Sequence, residues 1–453
     1  MDSENIRDYL VPGRQAHLVG IGGVSMRPLG LVLQGMGMRI TGSDMNASVS
    51  TQELEEQGIH VTIGHKPENI AGAECVIRTA AVHNDNPEIA AARAQGIPVF
   101  ERAQAWGVIM QRYENAICIS GTHGKTTTTS MVTHIFLQAG KDPTVMIGGK
   151  LPILGAGHRV GAGDDIILES CEYCNSFLNF FPTTAVVLNV EEDHLDFFKD
   201  LEEIKASFRR FAELVPEGGK ILVNGEDKNA MDALRGIPAN TFGMHPGFDV
   251  YAENLSADFR SLDVIAGGKP YCHLELKVIG KHNACNAVAA AAVAWLHGID
   301  AKDVEAGLAQ FHGADRRMQY KGTVSGAEIY DDYAHHPGEL RATLNAARIL
   351  QPKRLIVAFQ PHTYTRTKAL FDDFVLALKE ADVCVLSEIY AAREQNTIGI
   401  SSKDLQAQIP GAVFCRTLPQ TADYLRSILQ PGDLLLTIGA GDIYRVADAL
   451  VAE

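Results

Sequence analysis

The run Ser120-Gly121-Thr122-His123-Gly124-Lys125-Thr126-Thr127-Thr128 constrains this chain more than any other stretch. Before it, Asn115-Ala116-Ile117-Cys118-Ile119 reads as a short buried strand. After it, Met131, Val132, Ile135, Phe136 and Ala139 recur at helix spacing until Gly140 stops them. The glycines therefore fall at a strand-to-helix turn, where backbone amides and the helix dipole favour a phosphate. Lys125 is placed to reach outer phosphates, and the Thr126 hydroxyl to ligate Mg²⁺. The spacing is Gly-x-x-Gly-Lys-Thr, a shortened variant of the standard loop, which needs a glycine where Ile119 stands. The competing reading is a strand–turn–helix without a ligand.

A chain of 453 residues has room for two or three domains. Its net charge of -15 argues against a nucleic-acid partner, because a phosphate backbone would be repelled. A small phosphorylated ligand held by local positive groups stays open. Met1-Asp2-Ser3-Glu4-Asn5 lacks the basic and apolar regions of a signal peptide. The longest apolar stretch, around Ala287 to Leu296, is too short to span a bilayer. Eight cysteines scattered through apolar surroundings fit reduced thiols in a cytoplasmic protein. Cys171 and Cys174 have C-x-x-C spacing without a second ligand pair, so they read as ordinary thiols.

Along the chain, strands and helices alternate. Ala16 to Val19 is a strand, followed by a turn with Gly20, Gly22 and Gly23, a helix from Leu29 to Gly37, and a strand from Met38 ending at Ser43 and Asp44. Strands Cys75 to Thr79 and Ile97 to Phe100 flank a helix from Pro87 to Gln95. This is a Rossmann-like half. Its glycine turn suits NAD, the diphosphate of another nucleotide, or no ligand; Ser25 replaces the third fingerprint glycine and Asp44 stands where a ribose-binding acid is expected. A domain boundary falls near Trp106 to Glu114. Beyond the phosphate loop, strands Asp165 to Glu169 and Thr184 to Val190 run into acids, the second into Glu191-Glu192-Asp193-His194-Leu195-Asp196. Hard oxygen ligands near a triphosphate mean Mg²⁺. Asn283 and Asn286 precede the alanine-rich helix and suit either an adenine or a helix cap. Arg316-Arg317 can place a guanidinium on a phosphoryl group. A third α/β region carries strand ends at Asp331-Asp332-Tyr333-Ala334-His335-His336 and at Gln360-Pro361-His362-Thr363-Tyr364-Thr365-Arg366. Gly439-Ala440-Gly441-Asp442 reads as a helix-start turn.

Six motifs then stand in one order: the first glycine turn, Gly-Thr-His-Gly-Lys-Thr-Thr-Thr, Glu-Asp-His-Leu-Asp, His-Asn-x-x-Asn, Asp-Asp-Tyr-x-His-His-Pro and Phe-Gln-Pro-His-x-Tyr-x-Arg-Thr. Over nearly its whole length the chain resembles the Mur ligases, and among them those that join L-alanine to UDP-N-acetylmuramate. The resemblance implies an α/β protein of three domains: a Rossmann-like N-terminal domain (1–107) for the UDP-sugar, a P-loop-type central ATPase domain (108–313), and a Rossmann-like C-terminal domain (314–453) that closes over both. It implies an ADP-forming ligase of peptidoglycan precursor synthesis that uses ATP and Mg²⁺, works in the cytoplasm without membrane insertion, and is a monomer or homodimer. ATP would meet Gly121, Thr122, Gly124, Lys125, Thr126, Thr127, His282, Asn283, Asn286, Arg317 and Asp332. The UDP-sugar would meet Gly20, Gly22, Gly23, Ser43, Asp44, Thr79 and His123, and the amino acid His335, His362 and Arg366. Thr126 and Glu172 would hold one Mg²⁺ and His194 a second, with Lys125, His194 and Arg317 catalytic. Two departures from the family pattern are the run Glu169-Ser170-Cys171-Glu172-Tyr173-Cys174, which lacks two acids, and Thr363 in place of an arginine. The alternatives are a murein-recycling ligase that takes a ready-made tripeptide, an NAD-dependent dehydrogenase, and a nucleotide-gated switch.

Overall fold

A computed structural model describes residues 5–23, 25–79, 81–195, 197–392 and 394–452. Met1 to Glu4 of the chain start and Asp196 of the acidic run lie outside the described residues. The chain packs as two compact units, residues 1–190 with 205–241 and 296–299, and residues 191–204 with 242–295 and 300–453.

The first unit opens with β1 (Gln15–Val19), α1 (Met26–Gly35), β2 (Arg39–Asp44), α2 (Val49–Glu56), β3 (His60–Ile63), β4 (Cys75–Arg78), α3 (Pro87–Ala94), β5 (Val99–Glu101) and α4 (Arg102–Met110). The strands are all parallel, in the order β3-β2-β1-β4-β5. That is the order of one end of a doubly wound nucleotide-binding sheet. Neither α2 nor β3 was legible in the sequence. Only Thr51 and Leu54 of α2 are buried, so its apolar stripe is thin, and its start is set instead by a capping box on Ser48. β3 is an edge strand with His60 and Ile63 exposed. The stretch read as a boundary is taken up first by α4, where Trp106 is wholly buried.

β6 (Asn115–Ser120) and α5 (Lys125–Gln138) bracket the phosphate loop as the sequence predicts. β7 (Thr144–Leu151), β8 (Ala156–Arg159), β9 (Asp165–Glu169), β10 (Thr184–Val187), α6 (Leu201–Ala212), β11 (Lys220–Asn224) and α7 (Lys228–Ala233) follow. The strands lie in the order β11-β10-β6-β9-β7-β8. β6 is central, buried at every residue but Asn115, as a strand flanked by parallel neighbours requires. Its register sets Ser120 beside Val187 of β10 and Ile119 beside Glu169 of β9. The carboxyl ends of three strands thus meet at the loop, where open α/β sheets bind ligands.

Further along the chain, β12 (Asn240–Gly243), β13 (Val250–Glu253), β14 (Ser261–Ala266) and β15 (Lys269–Glu275) precede α8 (Lys281–Leu296) and α9 (Ala301–Ala309). α8 starts at Lys281 rather than Ala287, so Asn283 and Asn286 belong to the helix itself. Then come β16 (Gln319–Val324), β17 (Ala327–Asp332), α10 (Pro337–Ile349), β18 (Arg354–Phe359), α11 (Tyr364–Ala369), α12 (Phe371–Leu378), β19 (Val383–Ser387), α13 (Ser402–Gln408), β20 (Val413–Cys415), α14 (Leu418–Ile428), β21 (Asp433–Ile438) and α15 (Tyr444–Val451). This sheet runs β16-β17-β21-β18-β19-β20, parallel except for the β16–β17 hairpin. Leu355, Val357 and Phe359 pack on one face with Leu344 and Phe374; Ile356 and Ala358 pack on the other with Leu425 and Val446. Helices cover both faces, the usual condition of a parallel sheet. The Gly439–Asp442 turn leads into α15 as expected. Among the described residues no helix is long and apolar enough to cross a membrane, and no disulfide is formed.

Candidate active site

In the first unit the phosphate loop is clipped to Asn189, just past β10. Thr122 N donates to the Asn189 carbonyl (3.1 Å), His123 N donates to its side-chain oxygen (2.7 Å), and Asn189 Nδ2 donates back to the His123 carbonyl (3.1 Å). Gly121 has φ +143°, and a Cβ there would lie 3.0 Å from Leu188 Cβ, so the turn needs glycine. Gly124, at φ +83°, caps α5. The first helical amide bond is Thr128 N to the Gly124 carbonyl (2.9 Å), which leaves the amides of Lys125, Thr126 and Thr127 at the open end of the helix.

Two carboxylates face that end. Lys125 Nζ lies 3.1 and 3.4 Å from the Glu172 oxygens, and also donates to the Thr122 (3.1 Å) and Gly121 carbonyls. Burial works against the charged ammonium, but Glu172 outweighs it and holds Lys125 above the ordinary lysine range. Thr126 Oγ1 donates to Glu169 Oε2 (3.0 Å), which also accepts Gly148 N (2.6 Å). A Cβ on Gly148 would sit 2.6 Å from Glu169 Oε1, so the carboxylate occupies space only a glycine leaves. The oxygen partner of Thr126 is thus Glu169, which the sequence placed at a strand end without a metal role, with Glu172 three positions on paired to Lys125. Thr126 with these two carboxylates is a set of hard oxygens that fits Mg²⁺. Desolvation pushes the part-buried Cys171 thiol up to about 12, so it stays protonated.

The structure brings Gly20, Gly22, Gly23, Ser43, Asp44 and Thr79 together at the carboxyl edge of the first sheet. The turn amides are already used. Gly20 N and Ile21 N donate to the Ser43 carbonyl (2.8 and 3.0 Å), Gly22 N to Asp44 Oδ2 (2.9 Å) and Gly23 N to the Gly20 carbonyl (3.1 Å). Gly20 to Gly23 therefore keep none of their own amides open for a diphosphate. Ser43 is fully buried and its hydroxyl donates to Glu88 (2.6 Å), so it supports the turn from behind. Thr79 Cγ2 fills the space a Cβ on Gly20 would need.

The second unit gathers His194, His335, His362 and Arg366. Arg366 Nε and Nη2 bind Asp193 Oδ1 at 3.2 and 3.0 Å, and Nη1 lies 3.3 Å from His362 Nδ1. Asp193 also lies 3.7 Å from His194. Burial alone would raise Asp193, but His194 and Arg366 hold it well below the usual carboxylate range. The His335 and His362 rings are 6.0 Å apart, and burial pushes His335 down to about 4, so it is neutral near pH 7. His336, named in the sequence as part of the polar strand end but given no role, caps α10 through Nδ1 and donates from Nε2 to the Glu192 carbonyl (3.0 Å). Asp193, His194, Thr363, Arg366, Ala369 and Leu370 line a cavity of about 140 Å³.

Of the residues assigned to ATP in this unit, Asn283 and Asn286 are buried on α8, and Asn283 Nδ2 donates to the Ile279 carbonyl (2.8 Å). Burial lowers His282 to about 4. Asp332 accepts Met318 N (2.7 Å) and Ala334 N (2.8 Å), and burial raises it to about 6. Arg317 lies over the Tyr333 ring (5.6 Å) and 3.9 Å from Glu339, while its neighbour Arg316 is tied to Asp331 and to the Gly439 and Gly441 carbonyls.

Family models for the Mur ligase catalytic domain, the Mur ligase middle domain and the Mur ligase glutamate ligase domain match residues 15–114, 119–294 and 316–441. The chain belongs to the Mur ligase family. This Mur ligase is 42% identical over 449 residues to the UDP-N-acetylmuramate–L-alanine ligase of Caldanaerobacter subterraneus subsp. tengcongensis, covering 97% of this chain and 98% of that one. It is 45% identical to the protein of the same name from Agathobacter rectalis, covering 96% and 97%. Among solved structures, the UDP-N-acetylmuramate–alanine ligase of Thermotoga maritima superposes with a TM-score of 0.82 at 28% identity, covering 97% and 98%.

Proposed function

We propose that this Mur ligase joins L-alanine to the carboxylate of UDP-N-acetylmuramate, forming ADP and phosphate through an acyl phosphate. The observation that carries the reading is the start of α5, where Lys125 and Thr126 meet Glu172 and Glu169 around open helix amides. That arrangement suits a nucleotide triphosphate. The names of the curated relatives support alanine as the acceptor.

Lys125 and the amides after Gly124 neutralise and orient the transferring phosphoryl group. Thr126, Glu169 and Glu172 would offer oxygen ligands to one Mg²⁺, and His194 a ring nitrogen to a second; such ions would supply further charge neutralisation. Arg317 serves the γ-phosphoryl group, Asp332 the ribose, and Asn283 and Asn286, with His282, the adenine. Arg366 offers a planar fork to the alanine carboxylate. A neutral His335 beside it accepts a hydrogen bond without repelling the amino group. Gly20, Gly22, Gly23, Asp44, Thr79 and His123 form the nucleotide-sugar side, with Ser43 behind the turn on Glu88. The three domains are assigned to residues 1–107, 108–313 and 314–453, and the enzyme to the cytoplasm as a monomer or homodimer.

The test is coupled phosphate release with each substrate omitted in turn. Sustained release is expected only with ATP, UDP-N-acetylmuramate and L-alanine together. Turnover with a tripeptide but not with alanine would overturn the acceptor, and NAD binding without ATP turnover would overturn the whole reading.

A further inference from the structure

Arg317 sits between two residues with left-handed backbones, Arg316 at φ +60° and Met318 at φ +46°. That conformation is uncommon and costly for residues other than glycine, and it persists where the surroundings enforce it. Here the end of β17 holds both flanks. Asp331 Oδ2 accepts Arg316 Nε (3.0 Å), and Asp332 Oδ2 accepts Met318 N (2.7 Å). The backbone closes the same turn: Tyr333 N donates to the Arg316 carbonyl (2.7 Å), and Arg317 N to the Ala314 carbonyl (3.2 Å). Two consecutive strand residues thus grip the two neighbours of Arg317.

The two arginines are not equivalent. Arg316 spends all three guanidinium nitrogens inside the protein: Nε on Asp331, Nη1 on the Gly441 carbonyl (3.1 Å) and Nη2 on the Gly439 carbonyl (2.6 Å). Its guanidinium also lies 4.8 Å from the Tyr333 ring centre and 4.7 Å from that of Tyr444. Asp331 is fully buried, and its other oxygen accepts Thr437 Oγ1 (2.7 Å). One planar fork therefore ties the ends of β17 and β21 to the turn before α15, a geometry that an ammonium cannot copy. Arg317 is held more lightly. Glu339 is 3.9 Å away, the Tyr333 ring centre 5.6 Å, and its charge also bears on Asp332. A fixed backbone under a lightly held guanidinium is what a group needs if it is to meet a phosphoryl oxygen in one place.

We infer that Arg316 is a positioning residue for phosphoryl transfer: its fork fixes the turn that aims Arg317, and it does not itself meet the nucleotide. The inference rests on the role proposed above for Arg317.

Steady-state kinetics, ADP affinity by isothermal titration and melting temperature are compared in the wild type, Arg316→Lys, Arg316→Gln, Arg317→Ala, and Arg316→Lys combined with Arg317→Ala. Arg316→Lys keeps a positive charge for Asp331 but loses the fork. It should stay folded and lose about 10- to 100-fold in kcat, because a displacement of about 1 Å in a positioned group costs up to about 100-fold. The KM values for alanine and UDP-N-acetylmuramate should hold, and so should the affinity for ADP, which lacks the γ-phosphate. Arg316→Gln strands Asp331, so it should show the same kcat loss with a lower melting temperature; Arg316→Lys decides the matter where Arg316→Gln does not fold. A residue that acts through Arg317 adds nothing once Arg317 is gone, so the double variant should stay within about 2-fold of Arg317→Ala. Full kcat in folded Arg316→Lys overturns the inference. So does an equal loss of ADP affinity, which would make Arg316 a general support of the nucleotide pocket, or a further fall of about 10-fold in the double variant. Should the wild type ligate alanine while Arg317→Ala keeps its kcat, the phosphoryl contact lies elsewhere: the inference falls and the ligase reading stands. A wild type without turnover removes both.

Discussion

Arg366 spends all three guanidinium nitrogens on two side chains, two on Asp193 at 3.0 and 3.2 Å and the third on His362 at 3.3 Å. An amino-acid carboxylate that takes Arg366 must therefore replace or share one of these contacts. Thr363, where the family pattern has an arginine, brings no second guanidinium. Arg366→Ala should then cost about 2–5 kcal/mol in the alanine-dependent step, since a buried charge is left unpaired. That is roughly a 30-fold to several-thousand-fold fall in kcat/KM for alanine at about 1.4 kcal/mol per decade. The KM for ATP should hold. Separate KM measurements decide the point; a defect confined to ATP would mean that another group holds alanine.

The phosphate loop was legible because its meaning is local: the spacing from Gly121 to Thr126 implies a turn, and flanking apolar periodicity says what lies either side. Partners set by tertiary register were not. Thr126 meets Glu169 rather than Glu172 because β6 and β9 align Ile119 with Glu169. Arg366 and Asp193 are far apart in sequence, and no periodicity joins them. Ser43 was read as facing a ligand, but a strand residue one position out of phase points into the core, here to Glu88.

Asn189→Ala should loosen the phosphate loop without touching the triphosphate site directly. It removes the two side-chain bonds to His123, each worth about 0.5–1.5 kcal/mol net. The KM for ATP should rise roughly 5- to 100-fold by the same arithmetic, with alanine little affected. Asn189→Asp keeps the acceptor for His123 N but loses the donor and adds a negative charge near the phosphates, so it should be the worse of the two. An Asp variant with normal ATP affinity would show that the clamp is dispensable.

His297 gives a pH signature away from the chemistry. It lies 3.0 Å from Thr184 Oγ1, and burial lowers it to about 4. Its folded pKa is below the unfolded value near 6.5, so the stability of the neutral form is present above about 6.5 and lost as pH falls towards 4. His297→Gln keeps a hydrogen-bonding group and removes the titration. Between pH 7 and pH 4 the wild type should lose on the order of 2–3 kcal/mol more than the variant. Parallel urea-denaturation curves at both pH values would count against this.

Lys125→Ala should abolish turnover, but it should not be silent in the fold. Lys125 and Glu172 have side chains only 12% and 3% exposed and are 3.1 Å apart. Removing the ammonium leaves Glu172 buried without its counter-charge, and breaking such a pair costs about 3–5 kcal/mol. The variant should remain folded at 25 °C with a lowered melting temperature. Replacing the partner as well tests whether the two losses have separate causes. In Lys125→Ala with Glu172→Gln no buried charge is left stranded, so most of the stability should return. Activity should not return, because no cation then faces the phosphates. Thermal melts alongside phosphate release separate the effects: a double variant that regains turnover would show Lys125 to be a structural counter-ion, and one that stays as unstable as the single variant would show that the pair does not carry the stability.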